Sequence, residues 1–344
     1  MGTKGKVLGL VVTLVCLGVA VYGVDYRSVL DALARANYAL LAPALLLWLV
    51  GYLARTVRWR VLLAGVGAGS LFELFGVLMV GFATNNLLPA RLGEIARVYL
   101  LRRRTTARKT FLLASIFLER IFDGLALVAV IVALSTVVRL PGWGQEVELA
   151  SSALFVGVAA GVAVLLFRHD LAAWMVGLAA RLLPRRFASL AVSAFNSFVH
   201  GLGAMRRPNV LVGTVLLSFA VWGIEWAAYY AVASAFDLGL SSIDLAAACA
   251  FLLVVVNLGI MVPAMPGYVG TFQLFAVASL SVWGIPKEPA LAVAIVAHAT
   301  QYVLVTAIGL AFFGREQFSL RGVTLASREP SELDAEVVMS EGRP

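Results

Sequence analysis

The sequence predicts an all-α polytopic membrane protein, with about seven full spans plus broken or re-entrant helices. Three observations carry this. Of the 344 residues, 61% are hydrophobic and 13% charged, with mean hydropathy +0.94. A soluble domain runs near half apolar and a quarter charged. The apolar residues gather into nine stretches, most of them near the roughly 20 residues that cross a hydrocarbon core. Finally, Lys and Arg number 27 against 19 Asp and Glu, and they sit in short loops, as the positive-inside rule expects. That placement speaks against nucleic acid as a partner despite the net charge of +8. Cys16 and Cys249 lie inside apolar runs with no metal-ligand spacing, so neither a redox role, a metal nor a cofactor is expected.

The stretches run at 7–24, 38–54, 71–88, 110–138, 150–167, 209–236, 245–263, 267–284 and 289–313. The first follows Lys4 and Lys6 but has no small-residue cleavage site, so it reads as a span and not as a signal peptide. Arginines cluster at 55–60, 97–109 and 168–207, whereas the loops at 139–149 and 237–244 are poor in them. This places both termini in the cytoplasm, in a bacterial-type inner membrane. The loops at 55–60 and 97–109 are both basic and only 71–88 lies between them. That stretch must therefore enter and return as a re-entrant hairpin. Irregular backbone at membrane depth needs protein or a water-filled cavity around it.

Between 168 and 208, apolar residues recur at helical spacing, which predicts two amphipathic interfacial helices. They join two halves, each with one interrupted segment, at 85–94 and 257–273. Paired Gly/Pro-broken segments point to a transporter-type site and to a two-half repeat, although the halves show no clear residue-level identity. The membrane domain is expected over 1–314. A polar, acidic tail over 315–344 reads as disordered and cytoplasmic.

Ionisable residues inside spans are expensive and mark sites by default. Glu119, Arg120 and Asp123 share one turn of the fourth span. They read either as a packing ion-pair cluster against Arg91 or Arg97, or as a headgroup site with Arg120 facing an anion. Pro89 suits a first helical turn, so Arg91 and Glu94 follow the positive end of a half-helix where a phosphate would sit. Asn85, Asn86 and Gly93 belong to the same break. Glu225 is a lone mid-span carboxylate with Arg120, Arg91 or His298 as candidate partners. Arg55, Arg58 and Trp59 read as an interfacial anchor. Pro266, Gly267, Gly270 and Gln273 form the second break. No HExxH, GxSxG, Walker A or GxGxxG sequence occurs, so the chain is expected not to be an enzyme.

Arg55-x-x-Arg58-Trp59, Asn85-x-x-x-Pro89-x-Arg91-x-Gly93-Glu94, Glu119-Arg120-x-x-Asp123 and Pro266-Gly267-x-x-Gly270 occur in that order. This set resembles the flippase-like membrane domain of the lysylphosphatidylglycerol synthase family, over about residues 7–313. The resemblance implies handling of a modified phospholipid between leaflets. It does not imply the aminoacyl transfer of that family's soluble domain, for which the polar tail leaves no room. Gln273 stands where the family's second motif often ends in Glu, which speaks against a cationic lysyl lipid.

The expectation is therefore a flippase-like lipid transporter that moves a phospholipid or a polyprenyl- or hopanoid-type lipid. Its partner is a membrane lipid. The competing expectation is a non-transporting scaffold or accessory subunit for a lipid-modifying enzyme. Oligomeric state is left open.

Overall fold

The computed structural model describes residues 3–64, 66–88, 91–138, 207–261 and 265–315, with scattered positions between 145 and 181. All regular structure among them is helical: α1 (Thr3–Val21), α2 (Tyr26–Arg35), α3 (Leu41–Leu62), α4 (Leu71–Leu87), α5 (Gly93–Arg102), α6 (Lys109–Val137), α7 (Pro208–Ala233), α8 (Ser242–Gly259), α9 (Thr271–Ser281) and α10 (Lys287–Arg315). Helix starts follow local chemistry. Asp25 caps α2, and its carboxyl is held below the usual range by the Ser28 hydroxyl and the Arg27 backbone N–H. Ser70 and Glu73 form a reciprocal capping box on α4. Ser241 caps α8, and Pro208 opens α7.

Four helices are long and apolar enough to cross a membrane, or five if α1 and α2, bent by 81° at their junction, count as one. Seven full spans are not found among the described residues. The longest helix in the stretch 267–284 is the 11-residue α9, about 16 Å long against a core of about 30 Å. The stretch 150–167, the interfacial helices expected at 168–208 and the tail after 315 lie largely or wholly outside the described residues.

Both interrupted segments turn back on themselves. Arg104 reaches Glu73 at 3.5 Å, so the end of α5 returns to the start of α4. Phe251 of α8 meets Trp283 just beyond α9 with ring centroids 5.4 Å apart, and Gly259 lies against Phe275, so α9 runs back along α8.

The halves repeat in order and length. Helices α3 to α6 have 22, 17, 10 and 29 residues, and α7 to α10 have 26, 18, 11 and 29. Helices α3 and α7 pack antiparallel: Trp48 meets Tyr229, Arg55 meets Glu225, and Arg58 meets Ser218. The halves are therefore related by a pseudo-two-fold that inverts one against the other. The breaks match residue by residue, as Pro89-Ala90-Arg91-Leu92-Gly93 and Pro266-Gly267-Tyr268-Val269-Gly270. Arg91 (φ 51°) and Tyr268 (φ 58°) are the two non-glycine residues with positive φ among the described residues. Such a conformation costs roughly 1–2 kcal/mol, so two at matched positions mark one backbone device used twice.

Helix α4 packs antiparallel on α10 through small residues. A Cβ on Gly309 would meet the carbonyl oxygen of Met79 at 2.7 Å, and Phe312 lies against Gly76. Gly309→Leu is expected to cost about 1–3 kcal/mol, read as a lower unfolding temperature of the purified protein in detergent. An unchanged midpoint would show that this seam is loosely packed.

Candidate functional site

Residues of both halves line a cavity of about 160 Å³. The first half contributes Tyr52, Arg55, Phe82, Asn85, Asn86, Arg91, Glu94 and Arg120; the second contributes Trp222, Glu225, Tyr229, Asn257, Tyr268, Phe272, His298, Gln301 and Tyr302, among others.

The two breaks meet at its edge. Arg91 donates through Nη2 to the carbonyl of Ile260 at 2.9 Å, and its guanidinium lies 6.0 Å from the Tyr268 ring centroid. Asn85 Oδ1 accepts from the N–H of Gly93 at 2.7 Å, which holds the α5 start against α4. Asn86 donates to Thr306 at 3.0 Å, and its carbonyl accepts from the Tyr302 hydroxyl at 3.4 Å. Glu94 lines the cavity, and its Oε2 is buried without a hydrogen-bond partner among the described residues.

Charges are matched in two layers. Facing the cavity, Arg55 pairs with Glu225 at 3.0 Å, Gln301 donates to the same carboxylate, and Arg55 lies 5.0 Å from the Trp222 ring centroid. Behind this, Arg58 bonds Asp123 at 2.6 Å and Ser218 at 2.9 Å, and approaches Glu119 at 4.0 Å. Trp222 donates to Asp123 at 3.1 Å. Arg97 pairs with Glu119 at 2.7 Å and stacks 3.9 Å over Trp59, whose Nε1 donates to Ser115. A buried charge persists when it is paired and hydrogen-bonded; Arg55 and Arg58 are both, whereas Arg97 Nη2 and Glu119 Oε2 meet as an ion pair without a hydrogen bond.

Several expectations are corrected. Arg55, Arg58 and Trp59 are not an interfacial anchor; all three are buried, Arg58 completely. The partners of Glu225 are Arg55 and Gln301, and not Arg120, Arg91 or His298. The central cation of the α6 cluster is Arg58. Arg120 is 41% exposed at its side chain and approaches Asp123 at 3.6 Å. Glu119 and Asp123 lie in the second layer and do not line the cavity. Gln273 is buried in the start of α9, where its Oε1 accepts from the N–H of Gly270 and its Nε2 meets His298 Nδ1 at 3.0 Å. It does not face the cavity, so its identity says nothing about headgroup charge. Gly93, Gly267 and Gly270 act as backbone clearances: Gly267 lies against Tyr302, and Gly270 against the α1 backbone at Thr13 and Leu17. Pro266 opens the turn of the second break. Pro89 lies outside the described residues.

Sequence reasoning missed Tyr52, Trp222, Tyr229, Asn257, Tyr268, Phe272, Gln301 and Tyr302 as lining. The available signal was position. Arg55 and Trp222 are each the fifteenth residue of their helix, Arg58 and Glu225 the eighteenth, Asn86 and Asn257 the sixteenth, Arg120 and His298 the twelfth, and Asp123 and Gln301 the fifteenth. The bonded pairs Arg58–Asp123 and Glu225–Gln301 thus occupy equivalent positions in the two halves.

The lysylphosphatidylglycerol synthase TM region matches residues 6–309. Glycosyltransferase AglD of Haloferax volcanii is 27% identical over 88% of the chain, and the chain spans about half of that relative's length, 53%. A UPF0104 membrane protein of Methanothermobacter thermautotrophicus is 25% identical over 91% of the chain and 97% of its own length. No solved structure matches. The glycosyltransferase corrects the expectation of a non-enzyme. The missing signatures mark metalloproteases, serine hydrolases and nucleotide-binding folds, so their absence does not speak against glycosyl transfer.

Proposed function

Because the chain belongs to the lysylphosphatidylglycerol synthase TM region family, we propose that it takes the phosphate of a membrane lipid into the central cavity and moves that headgroup between leaflets. One observation carries the reading. Arg91, at the break tip, has no carboxylate within ion-pair distance among the described residues, and it lines the cavity together with the incompletely paired Arg120. A guanidinium there offers forked donors to phosphate oxygens. Broken helices lining a cavity between inverted halves are the arrangement in which transporters hold substrate. The acyl or isoprenoid chains stay between helices in the bilayer.

The half-length match to a glycosyltransferase favours a second reading, in which the domain holds a lipid for an enzyme that modifies it. Liposomes containing the purified protein and a head-labelled phospholipid separate the two. Transport predicts loss of leaflet asymmetry, slowed at least tenfold by Arg91→Ala. Bound lipid without movement favours the holding role. If Arg91→Ala neither slows movement nor weakens lipid retention, the phosphate site is elsewhere.

A further inference from the structure

The cavity wall leaves one carboxylate oxygen without a donor. Glu94 lines the cavity, its Oε2 is buried with no hydrogen-bond partner, and no guanidinium stands within ion-pair distance of it among the described residues. Its place in the first turn of α5 does not account for it. Comparable residues at other helix starts are satisfied inside the protein. Glu73 closes a capping box with Ser70 on α4, and Asp244 accepts from Ser241 on α8. At the position of the second break that matches Glu94, Thr271 donates to the carbonyl of Tyr268 at 2.9 Å.

The cavity wall does not supply the missing hydrogen either. Asn86 is engaged with Thr306, Asn257 with the Leu253 carbonyl, Gln301 with Glu225 and Tyr302 with the Asn86 carbonyl. An ionised carboxylate accepts and cannot donate, and a buried acceptor left unpaired costs more than an ordinary hydrogen bond gains. A headgroup entering the cavity displaces water from this oxygen. One without an N–H or O–H cannot replace the lost bond.

Position says which part of the ligand meets it. Arg91, Glu94 and Arg120 all lie within electrostatic reach of the Tyr268 hydroxyl. A phosphate on Arg91 therefore brings the group esterified to it beside Glu94. With that phosphate bound, the three lining guanidiniums face three anionic groups, since Glu94 and Glu225 supply two. Net charge then favours neither an ammonium nor a hydroxyl; both offer the hydrogen that Oε2 lacks.

We infer that Glu94 is a specificity-determining residue, which restricts the cavity to lipids whose phosphate carries a group with an N–H or O–H donor. This rests on the lipid-phosphate reading above and adds a second point of recognition to it. A site built around a hydrogen bond rejects an analogue that lacks the partner far more strongly than an apolar pocket rejects a change of size.

The test is competition in matched pairs for the detergent-purified full chain, read by native mass spectrometry with equal acyl chains. Phosphatidyl-N,N-dimethylethanolamine and phosphatidylcholine differ by the last N–H. Phosphatidylglycerol and phosphatidylmethanol carry the same charge and differ in their hydroxyls. In at least one pair the donor-bearing lipid should be retained tenfold or more over the other, and which pair it is tells ammonium from hydroxyl. Glu94→Leu should bring that ratio below threefold. The ratio is read within one sample, so a loss of folded protein does not imitate the effect. Where the leucine variant does not fold, Glu94→Gln, which keeps the shape and loses the charge, should lower the ratio at least threefold. Ratios below tenfold in both pairs, or a ratio that these variants leave in place, overturn the inference and leave the lipid-phosphate site standing. Retention of all four lipids that is indifferent to Arg91→Ala overturns the lipid-phosphate reading itself.

Discussion

Arg58→Leu is expected to be among the most damaging single changes in the protein, at about 3–5 kcal/mol, because it leaves Asp123 and Glu119 buried without their shared cation. The guanidinium joins α3 to α6 and α7 through Asp123 at 2.6 Å and Ser218 at 2.9 Å, and none of it is exposed. Arg97 still meets Glu119, so the stranded charge is Asp123. The double change Arg58→Leu with Asp123→Leu should recover much of the loss, since replacing a whole buried pair by apolar residues is often neutral. Arg120→Ala should cost no more than about 1 kcal/mol, because that side chain is 41% exposed and its pairing is screened. Thermal unfolding in one detergent ranks the three. If Arg58→Leu and Arg120→Ala shift the midpoint equally, the assignment of Arg58 as the central cation is wrong.

Gly93→Ala is expected to cost about 3 kcal/mol or more, because the added carbon would fall onto the carbonyl oxygen of Gly81 and lie 2.6 Å from Asn85 Oδ1. One obstacle is backbone, so relief requires the hairpin arms to separate. Separation would also break the bond from Gly93 N–H to Asn85 and move Arg91 away from Ile260. Both stability and lipid retention should therefore fall. Gly18→Ala is the control: its Cβ would meet nothing within 4 Å, and alanine is the better helix former by about 1 kcal/mol. A Gly93→Ala protein that unfolds at the same temperature as the unaltered one would show that α4 and α5 do not approach this closely.

Much of this architecture was legible in the chain. The density of apolar residues required helices, since a bilayer leaves no other partner for backbone groups in an open chain. Two basic loops flanking one apolar stretch led to the expectation that the stretch itself returns; instead α4 runs through it as one helix and α5 makes the return, with Arg104 against Glu73. The second hairpin was less visible. Its arms are as apolar as a span, and only the length of α9 distinguishes them.

The sequence by itself determined the class of protein, the place of both chain breaks and the presence of mid-membrane charges, because these depend on local composition and on the cost of leaving polar groups in hydrocarbon. Only the tertiary structure decided which charge meets which. Arg55 and Arg58 beside Trp59 look the same in sequence whether they anchor at a headgroup or lie inside a bundle; the packing of α3 against α7 and α6 makes them interior. The repeat was hidden for a related reason. A pseudo-two-fold preserves the backbone path, seen in the matched positive φ of Arg91 and Tyr268. The side chains at matched positions differ, Arg55 against Trp222 and Arg91 against Tyr268, because the two halves face the same cavity and supply it with different chemistry.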